Sequence, residues 1–213
     1  MIGYGSRGVA RAAYAASAIN LAAAVVMLAV LRGGLPAGEP SFAARLEHVH
    51  NQALAWRLGW LVWNSAAISL LALFVGLALL WRDRAPLLVR LALLCAAAGL
   101  AADLGAESVL AIVSPRATGG DFLLVERIAV ALTGYLGNGL YTVAGILLTW
   151  AGRRSLSSRL LALAVAVWAA GLALSAATLI GSRAGQYWAT AVLMPAFVVW
   201  AAGVGRWQSA RAS

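Results

Sequence analysis

Six stretches of about twenty or more apolar residues leave this chain few ways to fold, because each is long enough to cross a bilayer as a helix. They cover roughly 12–31, 58–81, 87–113, 122–150, 160–181 and 186–204. In hydrocarbon every backbone N–H and C=O must be satisfied within the segment, so runs of this length are read as helices. The third and fourth exceed the ~20 residues that a crossing needs, so tilt or protruding ends are expected. Composition agrees: 63% of residues are hydrophobic and 11% charged, with a mean hydropathy of +0.87. A soluble domain carries about 25% charged residues. The expected fold class is an all-α membrane protein, a six-transmembrane-helix bundle forming one transmembrane domain over 1–213. Two arginines precede the first run, but that run is long enough to span, and no cleavage motif with a soluble domain follows. It is therefore read as a span and not as a signal peptide.

The sixteen basic residues are all Arg, against seven Asp and Glu, giving a net charge of +9. Their placement suggests topology more than nucleic acid, since no basic tail or aromatic-basic surface segment is present. Ten arginines (7, 11, 82, 84, 90, 153, 154, 159, 206 and 211) fall on one side of the six spans, and five (32, 45, 57, 116 and 183) on the other. Arg127 is left inside a span. Cytoplasmic loops carry the excess of Arg, so both termini are expected in the cytoplasm. Trp56, Trp60, Trp81, Trp150, Trp188 and Trp207 fall near span ends, as an interfacial aromatic belt would; Trp63, Trp168 and Trp200 lie deeper. The lone Cys95 cannot form an internal disulfide, and the absence of Lys excludes a retinal Schiff base.

The one long connection is 32–57. Ser41 is a helix-capping residue type. Phe42, Leu46, Val49, Ala53 and Trp56 follow it at helical spacing, with Arg45, His48, Asn51 and Gln52 opposite. This predicts an outer amphipathic segment over 41–57, lying at the interface or closing over a pocket.

Four charges stand inside the apolar runs: Asp103 and Glu107 in the third span, Glu126 and Arg127 in the fourth. Charge in hydrocarbon costs a few kcal/mol per residue, so such groups pair, line a cavity or do chemistry. Asp103 and Glu107, four apart, share one helix face with Ala96 and Gly99. A short loop keeps the third and fourth spans adjacent, which makes Arg127 the expected partner of the acids. Tyr135 and Asn138 lie on Arg127's side of their helix, with Thr142. The second span brings His50, Arg57 and Asn64 to comparable depth. Three acids facing one arginine leave an unbalanced carboxyl, and a carboxyl that keeps its proton can donate a hydrogen bond or act as a general acid.

Other chemistries find little support. Glu47, His48 and His50 form a short E-H-x-H run, but on a helix the two histidines point about 200° apart, so no metal site is expected. No phosphate-binding loop and no nucleophile-elbow motif is present, and no cofactor is expected. The Gly-rich stretch GYLGNGLY (134–141) lies within a span, where it suits close helix packing or a locally deformed helix beside a cavity. A possible two-helix repeat aligns GLALLW (76–81) and AAGLAAD (97–103) with GILLTW (145–150) and AAGLALS (169–175), matching Asp103 to Ser175.

The segments WRLGWLVWNSAAISLLALF (56–74), AADLGAES (101–108) and ERIAVALTGYLGNGLYTVAGILL (126–148) resemble an uncharacterised family of bacterial six-helix integral membrane proteins. They cover about a quarter of the chain, and the resemblance implies the six-helix layout and a bacterial inner membrane but no activity.

The sequence thus predicts a polar pocket in the outer half of the membrane that binds, senses or transports a small hydrophobic, anionic or lipid-like molecule. Asp103, Glu107, Glu126, Arg127, Tyr135, Asn138, Asn64, Arg57 and His50 are its candidate residues. Membrane lipid is the expected surrounding partner. Two alternatives stand beside this reading. One is an intramembrane acid–base enzyme of isomerase or cyclase type using Asp103, Glu107 or Glu126; the other is an accessory subunit whose polar residues only brace helix packing.

Overall fold

Helix boundaries follow from capping chemistry at the ends of the apolar runs. A computed structural model describes residues 3–39 and 41–211, with side chains from Arg7 onward; Met1, Ile2, Pro40, Ala212 and Ser213 lie outside the described residues. Helix α1 (Gly3–Val26) continues through a π-helical stretch (Met27–Leu31) into a 3-10 turn (Arg32–Gly34). The short α2 (Phe42–Asn51) leads into α3 (Ala53–Trp81) and α4 (Pro86–Ile112). A 3-10 turn (Ser114–Arg116) then precedes the fourth span, built from α5 (Gly119–Val130), a π segment (Ala131–Gly137) and α6 (Asn138–Gly152). Helices α7 (Ser158–Leu179) and α8 (Arg183–Ser209) complete the chain. The side chains of Ser41, Ser157 and Ser182 accept from backbone N–H groups in the first turns of α2, α7 and α8. Pro86 stands in the first turn of α4, where its missing N–H leaves nothing unsatisfied.

Six helical spans are long and apolar enough to cross a membrane. Short connections make each span the neighbour of the next, and α1 packs on α8, so the six close into an up-down ring. One end of the ring carries the two termini, the other carries α2.

The two halves of the interior are filled differently. Towards the terminal end the core is built around Trp168, which meets Phe74 and Trp200 edge-on with ring centroids 6.0 and 5.2 Å away. Towards the α2 end Leu31, Val49, Trp56, Trp60, Leu110 and Phe122 form a second cluster. Trp56, Trp60 and Trp81 are therefore core residues and not members of an interfacial belt. Trp81 lies flat against Gly152, where any side chain would meet its ring, and Trp56 donates its Nε1–H to the carbonyl of Leu110 (2.7 Å). Trp150 and Trp188 do face outward, at 58% and 67% exposure.

Candidate functional site

Helix α2 seats its apolar stripe on the bundle, with Val49 fully buried, as is Trp56 in the first turn of α3. Arg45 stands three residues after Phe42 and four before Val49, so it borders that stripe and turns inward with it. The sequence pattern had placed it on the solvent face; the structure buries it to 2% exposure. Its guanidinium grips Glu126 of α5 through both oxygens, Nε to Oε1 at 2.7 Å and Nη2 to Oε2 at 3.0 Å, and Nη1 donates to the Glu39 carbonyl at 3.0 Å. This two-pronged geometry is the strongest form of carboxylate recognition available to a side chain. It also corrects the expected pairing: Glu126 is held by Arg45, and Arg127 forms no ion pair among the described residues.

Beside this pair a cleft of about 320 Å³ opens between α5, the α7–α8 turn and the 32–39 segment. Leu123, Val130 and Ala131 supply apolar wall. Glu126 is the acid in the lining, set against Arg45, Arg127 and Arg183, with Thr178 and Gln186 as neutral polar groups. Because Arg45 neutralises Glu126, the exposed Arg127 and Arg183 leave the cleft net positive. Arg183 and Gln186 belong to the first turn of α8, whose N–H groups carry the partial positive charge of a helix start.

Asp103 and Glu107 are elsewhere. The Trp56–Leu110 hydrogen bond fixes the register of the antiparallel α3–α4 pair. Eight residues further along each helix from that bond, Asn64 comes level with Ala102 and Asp103; Trp60 is level with Ala106 and Glu107. Glu107 is completely buried, Asp103 and Tyr141 nearly so. Asp103 Oδ1, both Glu107 carboxylate oxygens, Asn64 Oδ1 and the Tyr141 hydroxyl find no hydrogen-bond partner among the described residues, nor do Trp60 Nε1 and Arg57 Nε. Neither acid lines the cleft. The expected single constellation is thus two groups: a basic cleft at the α2 end, and an unpaired acid pair inside the bundle.

The π segment of the fourth span lies between them. Its i→i+5 turns are wider than α-helical ones, and such turns occur often at functional sites. A Cβ added at Gly137 would stand 2.6 Å from Asp103 Oδ1, so only glycine lets the backbone lie against that carboxyl. Gly134 packs on Thr178, whose side chain also faces the cleft. Asn138 donates to the Gly171 carbonyl (2.7 Å) and to Ser175 Oγ (2.8 Å), tying the segment to α7. The deformed helix expected at 134–141 is present, displaced a few residues towards the α2 end. Asp103 and Ser175, matched by the possible repeat, both abut this segment, from α4 and α7 respectively.

The remaining candidates take other places. Tyr135 is 44% exposed and outside the cleft lining, and Arg57 is partly buried on α3. The His50 ring meets the Ala117 carbonyl (3.1 Å) and the His48 ring the Val30 carbonyl (2.7 Å), so the two imidazoles serve separate backbone groups. No cluster of three or more His, Cys, Asp or Glu that could hold a metal ion occurs among the described residues. Sequence reasoning missed Arg45, Thr178, Arg183 and Gln186 in the cleft and Tyr141 and Trp60 near the acids. For Arg45 the signal was its i+3 spacing from Phe42; for Arg183 it was the Ser182 cap, which puts the next residues at a helix start. No family model, curated protein or solved structure matches the chain.

Proposed function

We propose that this chain is a multi-pass protein of a bacterial inner membrane, with both termini in the cytoplasm, whose outward-facing cleft binds the anionic group of a small or lipid-like molecule. The arginine bias, ten against five, orients the termini inward and the α2 end outward. The observation that carries the binding reading is the cleft itself, with three guanidinium groups around one already neutralised carboxylate. Its lining runs from Leu123 to Ala131 along the fourth span, about 12 Å at 1.5 Å per residue, and joins apolar wall to a cationic mouth. That pattern suits an amphiphile with an acidic head better than a fully polar solute. Arg127 and Arg183 would clamp the anionic group, Gln186 and Thr178 would orient it, and Arg45 would hold the wall that carries Glu126. Binding is favoured over acid catalysis in the cleft because Asp103 and Glu107 stand outside its lining.

Thermal unfolding of the full chain in neutral detergent tests this reading. Short-chain phosphatidylglycerol, its phosphatidylcholine counterpart and inorganic phosphate are the probes. A ligand at a hundred times its Kd stabilises by ~2.7 kcal/mol, which raises Tm by roughly 5–11 °C for a chain of this size. The phosphatidylglycerol shift should be lost when Arg127→Gln and Arg183→Gln are combined. A shift with phosphate alone would assign the site to free anions. Equal shifts with both lipids, or an undiminished shift in the double variant, would refute anion binding in the cleft.

A further inference from the structure

Asp103 and Glu107 bring two carboxyls into the bundle with no fixed counter-charge beside them. No arginine on a neighbouring element forms an ion pair with either acid among the described residues. Arg45 is held by Glu126, Arg127 stands exposed in the cleft, and Arg57 of α3 makes no ion pair with either acid. No third His, Cys, Asp or Glu joins the two to make a metal-holding group among the described residues. The groups around them are hydroxyls and an amide: Tyr141 of α6 and Thr133 of the π segment lie within interaction range of Asp103, and Asn64 is level with it on α3. Tyr141 is buried to 6% exposure, and its hydroxyl has no hydrogen-bond partner among the described residues. Glu107 has no exposure, and both its oxygens are likewise unpartnered.

Two ionised carboxylates in such a place would be uncompensated charges in a low-dielectric interior, each costing several kcal/mol. With no protein cation paired to either carboxyl among the described residues, a mobile species is the available source of neutralisation. Two carboxyls four residues apart on one helix face are neighbours. One proton placed between them turns two orphaned acceptors into a charge-assisted O–H···O⁻ hydrogen bond, among the strongest available to protein side chains. The Tyr141 hydroxyl is then a donor for the single charge that remains.

We propose that Asp103 and Glu107 form a proton-binding site within the bundle, the two carboxyls sharing one proton where α4 meets the π segment and α6. Loading takes one proton from solvent, adds it to one carboxylate oxygen and changes the charge of the pair from −2 to −1; no other bond is made or broken. The assignment does not rest on ligand binding in the cleft, since neither acid lines it.

Infrared spectroscopy of the full chain in detergent at neutral pH tests the assignment. The other acids stand in different surroundings, so the variants assign the band: Glu47, Asp83 and Asp121 are exposed, Glu39 is partly exposed, and Glu126 is ion-paired. The expected result is a carboxylic-acid C=O band in the wild-type chain. It should be absent when Asp103→Asn and Glu107→Gln are combined, and unchanged when sodium replaces choline at constant pH. No band in the wild type, a band that survives in the double variant, or one that sodium abolishes would each overturn the proposal, the last in favour of a cation site. Should the double variant fail to fold, carboxyl carbon-13 labelling of aspartate and, separately, of glutamate in the wild type decides the question. A band that shifts under neither label would overturn the assignment.

Discussion

The Arg45–Glu126 pair ties the α2 cap to the fourth span, and its burial makes its contribution measurable. The two side chains are 2% and 7% exposed and share two hydrogen bonds of 2.7 and 3.0 Å. Removing one member of such a pair leaves an uncompensated buried charge, at a cost of about 3–5 kcal/mol. For a chain of this length that corresponds to a fall in Tm of roughly 6–20 °C. The two single variants should not be equivalent. Arg45→Met leaves a carboxyl that can take up a proton and become neutral, so its deficit should shrink in acid. Glu126→Leu leaves a guanidinium that cannot lose its charge, so its deficit should persist, and it should be the larger at neutral pH. Combining the two replaces a pair by apolar groups of similar volume, which is often neutral or stabilising by about 1–4 kcal/mol. The assay is circular-dichroism melting of all four proteins in one detergent at two pH values, analysed as a double-mutant cycle. A double variant as unstable as the sum of the singles would show that the charges do not interact. Single variants within ~0.5 kcal/mol of wild type would show that solvent reaches the pair, since that is the range of an ordinary surface substitution.

Asn138→Ala should destabilise by about 1–3 kcal/mol, because it strips the donor from the Gly171 carbonyl and from Ser175 Oγ where α7 meets the π segment; an unchanged melting curve would show that those acceptors find other donors. Membrane orientation is read by single cysteines in a Cys95→Ala background, treated on intact bacterial cells with a membrane-impermeant maleimide. Glu47→Cys on the exposed face of α2 should label, and Ser209→Cys at the end of α8 should label only after lysis; the opposite pattern would invert the topology.

The six spans were legible because apolar runs of that length admit one solution, and the helices match them to within a few residues at most ends. The exceptions are the starts of the first and second spans, at Gly3 and Ala53, and the end of the sixth, at Ser209. Helix α3 begins at Ala53 and not near residue 58, because Gln52 alone leaves the helical region (φ −115°, ψ 28°) and the helix resumes directly after it. The cap at Ser41 and the apolar stripe that runs through Val49 were equally readable from spacing. What spacing could not give is partnership. Arg45 lies at the margin of an apolar stripe, and only the position of Glu126 across the ring decides that it turns inward. Trp56, Trp60 and Trp81 sit at span ends in sequence, as belt residues do. Gly34 receives the ring of Trp56 and Gly152 that of Trp81, the Leu110 carbonyl accepts the Trp56 indole N–H, and Trp60 packs edge-on against Trp56 with ring centroids 5.5 Å apart. The split of the four intramembrane charges into two groups had the same origin: helical phase gives the face on which a charge stands, but not which neighbour meets that face.

The π segment is the structural link between the two polar groups. Ala131 opens the segment and lines the cleft; Thr178 lines the cleft and packs on Gly134; Gly137 closes the segment against Asp103. One stretch of seven residues therefore touches the cationic cleft at one end and the acid pair at the other. Its attachment to α7 runs through Asn138 and Ser175, while the contact with α4 is backbone against carboxyl. A ligand that displaced the segment at Ala131 would alter the surroundings of Asp103. By linkage, a proton that altered the segment at Gly137 would change affinity in the cleft by the same factor. The two proposals can be tested separately, and if both hold, the size of that shared factor measures how rigidly the π segment connects them. Equal cleft affinities in the wild type and in the Asp103→Asn, Glu107→Gln double variant across the pH range would mean that the two sites share a wall without being coupled.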